Sequence, residues 1–217
     1  MTISKFIFSA TFIVAVFAFG SCSKDDEDDL NGHEYVDLGL PSGTLWATCN
    51  VGANSPEELG YYFAWGETTP KDYYSSDNYK WRNSIDRTLT KYTYVDDGKT
   101  KLDDADDAAT ANWGSGWCTP SREQILELLQ YTVKDCVTMK GVKGITFTRN
   151  GNTIFIPCAG YMRNNYLQYP EILYIWTNSL GEQSGFAENL IHVPGKGWTE
   201  LSRSFGLPVR PVRRHNK

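Results

Sequence analysis

The sequence predicts an α+β fold, and three features predict it. Apolar residues alternate with period two in short stretches near the start and again through the last third of the chain. One amphipathic helical stripe lies between them. The late strand stretches follow one another directly, punctuated by glycine, without the strand–helix–strand alternation that builds a parallel sheet.

Residues 35–38 read as a short strand. GLPSG (39–43) reads as a turn, because proline presets φ and glycine permits the reversal. LWATCNV (45–51) alternates well enough for a second strand. SPEEL (55–59) predicts a helix start, with Ser55 as N-cap, Pro56 at the first position and acids in the first turn. That helix would carry Leu59, Tyr62 and Phe63 inward. YYFAWGETTPKDYYSSDNYKW (61–81) is dense in rings, which either fill a core short of helices or stack on sugars. Its polar half, DYYSSDNYKW, is the part expected at the surface.

AATANW (108–113) predicts a short helix capped by Asp106 or Asp107. GWCTPSREQILELLQYT (116–132) holds the strongest helix signal. Either Thr119 caps it with Pro120 at the first position, or Ser121 and Gln124 form a capping box. Ile125, Leu128 and Leu129 make its apolar stripe. In GITFTRNGNTIFIP (144–157) two strands flank Asn150-Gly151, a pair able to take the positive φ of a tight hairpin. Short strands are then expected at LYIWTN (173–178), FAENLIHV (186–193), GWTELSR (197–203) and LPVRPV (207–212).

The amino end gives an address. Lys5 precedes an apolar run from Phe6 to Phe19, shorter than a bilayer span, and Gly20 and Ser21 then precede Cys22. This resembles the lipobox of bacterial lipoproteins, in which the cysteine is acylated and becomes the new amino terminus. An ordinary secretory signal is the alternative. Residues 1–21 are thus expected to be a lipoprotein signal peptide, 22–32 an acidic tether and 33–217 a single domain. Ser-Lys-Asp-Asp-Glu (23–27) resembles the surface-export signal of Bacteroides-type lipoproteins. The expected location is the outer membrane at the cell surface, with membrane lipid as partner through acylated Cys22.

The chain carries a net charge of −5, and removal of Lys5 makes the mature form one unit more acidic, which excludes nucleic acid as a partner. The basic tail RPVRRHNK reads as an end strand and a frayed terminus. Cys49, Cys118, Cys136 and Cys158 allow three disulfide pairings or four free thiols, and their spacing is not that of a zinc site. DDGKTKLDDADD (96–107) suggests calcium by its carboxylates but lacks the EF-hand glycine and glutamate, so a calcium role stays open. No metal and no cofactor is expected.

No enzyme motif is present. His33, His192 and His215 are isolated; there is no Gly-x-Ser-x-Gly elbow, phosphate loop or His-Glu-x-x-His. Glu67, Glu171, Glu182, Glu188 and Glu200 could supply a glycosidase pair, and nothing marks one.

EYVDLGLPSGTLWATCNVGA (34–53), GYYFAWGET (60–68), NWGSGWCTPSREQILELL (112–129), IFIPCAGY (154–161), IWTNSL (175–180) and PVRPVR (208–213) together resemble the Fibrobacter succinogenes major paralogous domain family. The resemblance implies a C-type-lectin-like fold: a twisted antiparallel sheet, two flanking helices and long loops, with distant kinship to formylglycine-generating enzymes. The family's Trp-x-x-Pro-Ser/Thr-x-x-Glu signature falls on Trp117, Pro120, Ser121 and Gln124, an amide where the pattern has an acid. Glu123 is the nearest acid. Cys118 and Cys158 replace an expected Arg and Ala, and those paired departures imply a Cys118–Cys158 bridge, with Cys49–Cys136 left as the other pair. The calcium-lectin triplets are missing, and Trp176-Thr177-Asn178 only approaches one. The enzymes' cysteines near the carboxyl end have no counterpart after Cys158.

Some lectin-fold lipoproteins carry diversified residues on their last strands. By that resemblance the ligand-binding face comprises Tyr174, Trp176, Asn178, His192 and Trp198, unless Trp176 and Trp198 are core. The expected function is a surface lipoprotein with a lectin-like binding domain for a glycan or protein, without catalysis. The alternatives are a structural or assembly component of the envelope and an unusual enzyme of the formylglycine-generating fold.

Overall fold

A computed structural model describes residues 31–193 and 195–213. The signal segment, Cys22, most of the tether and residues 214–217 lie outside the described residues. Among the described residues there are two α-helices, one short 3-10 turn and fourteen short strands, and every named strand pair is antiparallel. In chain order the elements are β1 (Tyr35–Asp37), β2 (Leu45–Ala47), β3 (Phe63–Ala64), α1 (Ala108–Trp113), β4 (Trp117–Cys118) and α2 (Arg122–Tyr131). There follow β5 (Val133–Met139), β6 (Val142–Arg149), β7 (Asn152–Pro157), β8 (Tyr161–Arg163), β9 (Tyr166–Gln168) and β10 (Leu173–Leu180). The chain closes with β11 (Phe186–Val193), β12 (Lys196–Ser202), β13 (Gly206–Leu207) and β14 (Val212–Arg213). They form four sheets, ordered β1-β2-β14-β4, β3-β13-β8-β9, β5-β6-β7 and β10-β11-β12. The class is α+β, as the sequence predicts.

Strands β10 and β11 of the β10-β11-β12 sheet are the centre of the core, because they are buried on both faces, while β12 along their edge is half-buried. Leu173, Ile175 and Leu190 point into an aliphatic core completed by α2 (Ile125, Leu128) and the β6–β7 hairpin (Ile145, Phe147, Ile154, Ile156). Tyr174, Trp176, Ala187 and Ile191 point into an aromatic core with Phe63, Trp65, Tyr92, Trp113 and Trp117. Alternation along each strand sends neighbours to opposite faces, so one sheet serves two cores.

Local signals explain the best-defined elements. Ser121 Oγ accepts from the Gln124 backbone N–H while the Gln124 side chain accepts from the Ser121 N–H, so the capping box starts α2. Thr119 does not cap that helix. It is drawn to Asp107, whose buried carboxylate caps α1 through the N–H groups of Ala109 and Thr110 and also accepts from the Thr119 N–H and hydroxyl. Arg149 pairs with Asn152 around Asn150 and Gly151, at φ 52° and 82°, the two positive values a tight hairpin needs.

Four expectations change. Residues 55–59 make one turn rather than a helix: the Glu58 N–H reaches Ser55 O, the Glu58 carboxylate caps the Asn54 N–H, and Gly60 at φ 73° turns the chain so that the Tyr61 N–H bonds Val51 O. Phe63 is buried nonetheless, through β3. The second strand stops at Ala47. β3, β4, β5, β8 and β9 appear where no strand was expected. Lastly, Cys49, Cys136 and Cys158 are free thiols, so neither Cys118–Cys158 nor Cys49–Cys136 is bridged. Cys49 is buried in the aromatic core with its thiol donating to Ala53 O, whereas Cys136 is exposed on β5, a strand of another sheet. Among the described residues no helix is long and apolar enough to cross a membrane.

Candidate functional site

The five residues expected to form a ligand-binding face do not share one. Tyr174 and Trp176 are buried in the aromatic core, where the Trp176 indole donates to Phe63 O at 2.7 Å and Tyr161 meets Tyr174 edge-on. Asn178, half-buried, uses its backbone to bond Pro120 O and the Leu102 N–H. His192 and Trp198 sit opposite Leu173 and Leu190, on the other face of the sheet. His192 is half-buried, and burial with the nearby Lys134 charge lowers its pKa. Trp198 lies under the Arg122 guanidinium at 4.2 Å, and Arg122 pairs with buried Glu188 at 2.8 Å. Glu188 and Glu200 face each other across β11 and β12, but Glu188 is closed off from solvent. Glu67 and Glu171 are held by Lys71 and Lys143.

The concave surface lies elsewhere. A cleft of about 370 Å³ opens between two segments distant in sequence: Thr93, Tyr94, Val95 and Thr100 on one side, and Leu180, Gly181, Glu182 and Ser184 on the other. Three devices build it. First, residues 99–102 run along the end of β10, with the Leu180 N–H bonding Thr100 O and the Leu102 N–H bonding Asn178 O. Second, the Asp97 carboxylate accepts from the backbone N–H groups of Tyr92, Thr93 and Lys99. Partial burial alone would raise the Asp97 pKa, but those N–H donors outweigh it and hold the carboxyl low. The turn keeps Tyr92 at φ 58° and Tyr94 at φ 61°, left-handed values that cost a non-glycine residue about 1–2 kcal/mol each. They aim one ring inward and one outward: Tyr92 is fully buried, whereas Tyr94 is 63% exposed.

The third device is Arg203, 1% exposed and without a carboxylate partner in its cage. Its guanidinium donates to Tyr92 O and Lys91 O on one side of the cleft, to Ser184 O on the other, and to the Tyr79 hydroxyl beneath. The rings of Trp65, Tyr79 and Tyr92 surround it at 5.3–5.9 Å. One buried cation therefore ties both walls to the core. Carbonyl oxygens stand in for water around the charge, which is the condition for burying it.

Behind the cleft the acid-rich segment is spent on protein contacts. Asp103 pairs with Lys91 and Lys99, and buried Asp106 with Lys80, Lys91 and the Tyr92 hydroxyl. Among the described residues no group of three His, Cys, Asp or Glu is placed to hold a metal ion. Lys91 and Lys99 hold Asp103 below its usual range. For Asp106 burial pushes upward, but Lys91, Tyr92 and Lys80 outweigh it. A lowered folded pKa contributes stability above the unfolded value near 4, lost as pH falls through the folded value. Burial raises Asp107, whose contribution runs the other way. Urea unfolding from pH 7 downward should therefore show an acid limb that Asp106→Asn makes shallower, at lower stability near neutrality; an unchanged limb would place the acid sensitivity elsewhere.

Sequence reasoning missed Arg203, Tyr94 and the whole cleft, since no local spacing links residues 93–100 with 180–184. The density of tyrosine beside an acid run was the one available hint. No family model, curated protein or solved structure matches this chain.

Proposed function

We propose that the chain is a lipid-anchored protein of the outer membrane surface whose single head, a C-type-lectin-like domain of the Fibrobacter succinogenes major paralogous type, works by binding a ligand without catalysis. The observation that supports binding is the cleft itself. Its walls are fixed by backbone bonds and by Asp97 and Arg203, while, among the described residues, the side chains of Tyr94, Thr100, Glu182 and Ser184 have no hydrogen-bond or ion-pair partner. Rigid walls with unspent polar groups lose little entropy when a ligand docks. The α+β class, with two helices against antiparallel sheets, is compatible with the lectin-like arrangement that the sequence resemblance implies.

The anchor rests on Phe6–Phe19 followed by Gly20, Ser21 and Cys22, and display rests on the acidic run after it. In cells fed labelled palmitate, the wild-type chain should take up label and Cys22→Ala should not, the variant leaving the membrane fraction. Protease added to intact cells should remove the wild-type head. A wild-type chain that is unlabelled and cytosolic, or protected from protease, overturns the address.

A further inference from the structure

We propose that the cleft takes a neutral pyranose residue of an oligosaccharide, with Tyr94 as the stacking ring and the hydroxyls of Thr100 and Ser184 and the carboxylate of Glu182 as its hydrogen-bonding partners. The proposal rests on the reading of this cleft as the binding site and names its ligand class.

Three properties select that chemistry. The first is the ring. Tyr94 is held outward by a left-handed backbone and by the Asp97 turn, with most of its surface exposed and no ring partner of its own. A pyranose offers an apolar C–H face that such a ring covers, and a ring fixed in advance gives contact area at low entropic cost. The second is the polar set. Two hydroxyls that can donate and accept and a carboxylate that accepts, all without a partner among the described residues, can pair with several sugar hydroxyls at once. An apolar peptide side chain would bury them unsatisfied, and a site built to pair hydroxyls rejects a ligand that lacks them. The third is charge. Glu182 is the one charged residue lining the cleft, while the nearby Lys99 and Lys101 are committed to Asp103 and Glu123. Phosphorylated, sulfated, sialylated or uronic ligands would meet a carboxylate with no cation to offset it. The cleft volume of about 370 Å³ is at the lower end of small-ligand sites, which suits a sugar residue or two rather than a folded partner.

The test uses the full-length protein in a detergent without sugar head groups. It is applied to an array of neutral glucan, mannan, galactan and xylan oligosaccharides, of sialylated, sulfated and uronate ones, and of envelope and host proteins. Wild type should bind neutral oligosaccharides. Tyr94→Ala should lose about tenfold in affinity, the size of one lost stacking contact, and Thr100→Ala and Ser184→Ala several-fold each. All three should melt with the wild type, because their side chains hold none of the cleft's walls. Preference for anionic sugars, or neutral-sugar binding untouched by these variants, overturns the ligand assignment and leaves a binding protein. Binding to protein targets alone does the same. Silence toward every class on the array overturns the ligand and the binding function together.

Discussion

Replacing Arg203 with leucine is expected to lower stability by about 3–5 kcal/mol, because several buried neutral acceptors are left unsatisfied at about 1–3 kcal/mol each, partly offset by no longer burying the charge. The carbonyl oxygens of Lys91, Tyr92 and Ser184 and the Tyr79 hydroxyl lose their donor at once. Thermal unfolding should shift down by about 10 °C, at roughly 2–4 °C per kcal/mol for a domain of this size. The loss should also be local. Amide exchange should quicken in residues 91–100 and 181–185, and ligand affinity should fall even in the folded fraction. Arg203→Lys should rescue little, because one ammonium cannot span acceptors on two loops as a planar guanidinium does. A melting point within a degree or two of wild type would show that the cleft walls stand without this tie.

Arg210→Leu is the matching case with a different outcome. Arg210 is completely buried and donates to Ala47 O, Phe155 O and the Asn50 side chain, at 2.8–3.0 Å. It joins the end of β2 to β7, two sheets that share no strand. Burial drives its pKa down to about 10, with Cys49 acting in the opposite sense. The expected loss is again about 3–5 kcal/mol, from buried acceptors left unsatisfied, read as a lower urea midpoint. None of its acceptors lines the cleft, so affinity in the folded fraction should match wild type. The two losses should add in the double variant, since the arginines have no partner in common. A fall in affinity with Arg210→Leu would mean that the cleft depends on the whole frame rather than on its own tie.

What the sequence reveals here is what short-range chemistry decides. Asn150-Gly151 forces positive φ at two adjacent residues, and only a tight hairpin uses both. Ser121 and Gln124 bracket four residues of helix start with two reciprocal bonds. Both are complete in themselves; the hairpin forms as expected, and of the two starts expected for the helix the capping box is the one that forms. The Ser55 signal is of the same kind and fails, because Gly60 and the Val51–Tyr61 bond, a longer-range closure, end the turn before a helix can grow. β5 has exposed Val133 and Cys136 on a solvent-facing strand, so its alternation is too weak to see. The binding-face expectation failed for a reason that was present in the letters. LYIW (173–176), at the start of β10, is a continuous apolar run, the mark of a strand covered on both sides. Read as half-exposed, it puts Tyr174 and Trp176 outside; read as doubly covered, it puts them in a core. The cleft was beyond reach, because Arg203 gathers four acceptors from segments more than a hundred residues apart in the extreme and leaves no pattern in any of them.

The double-sided β10-β11 pair has one more consequence. A partition that closes two rooms cannot be taken down for one of them, so strain introduced in either core must be felt in both. The head should therefore melt in a single concerted step. No excised half, ending before β10 or starting at it, should hold a shape of its own.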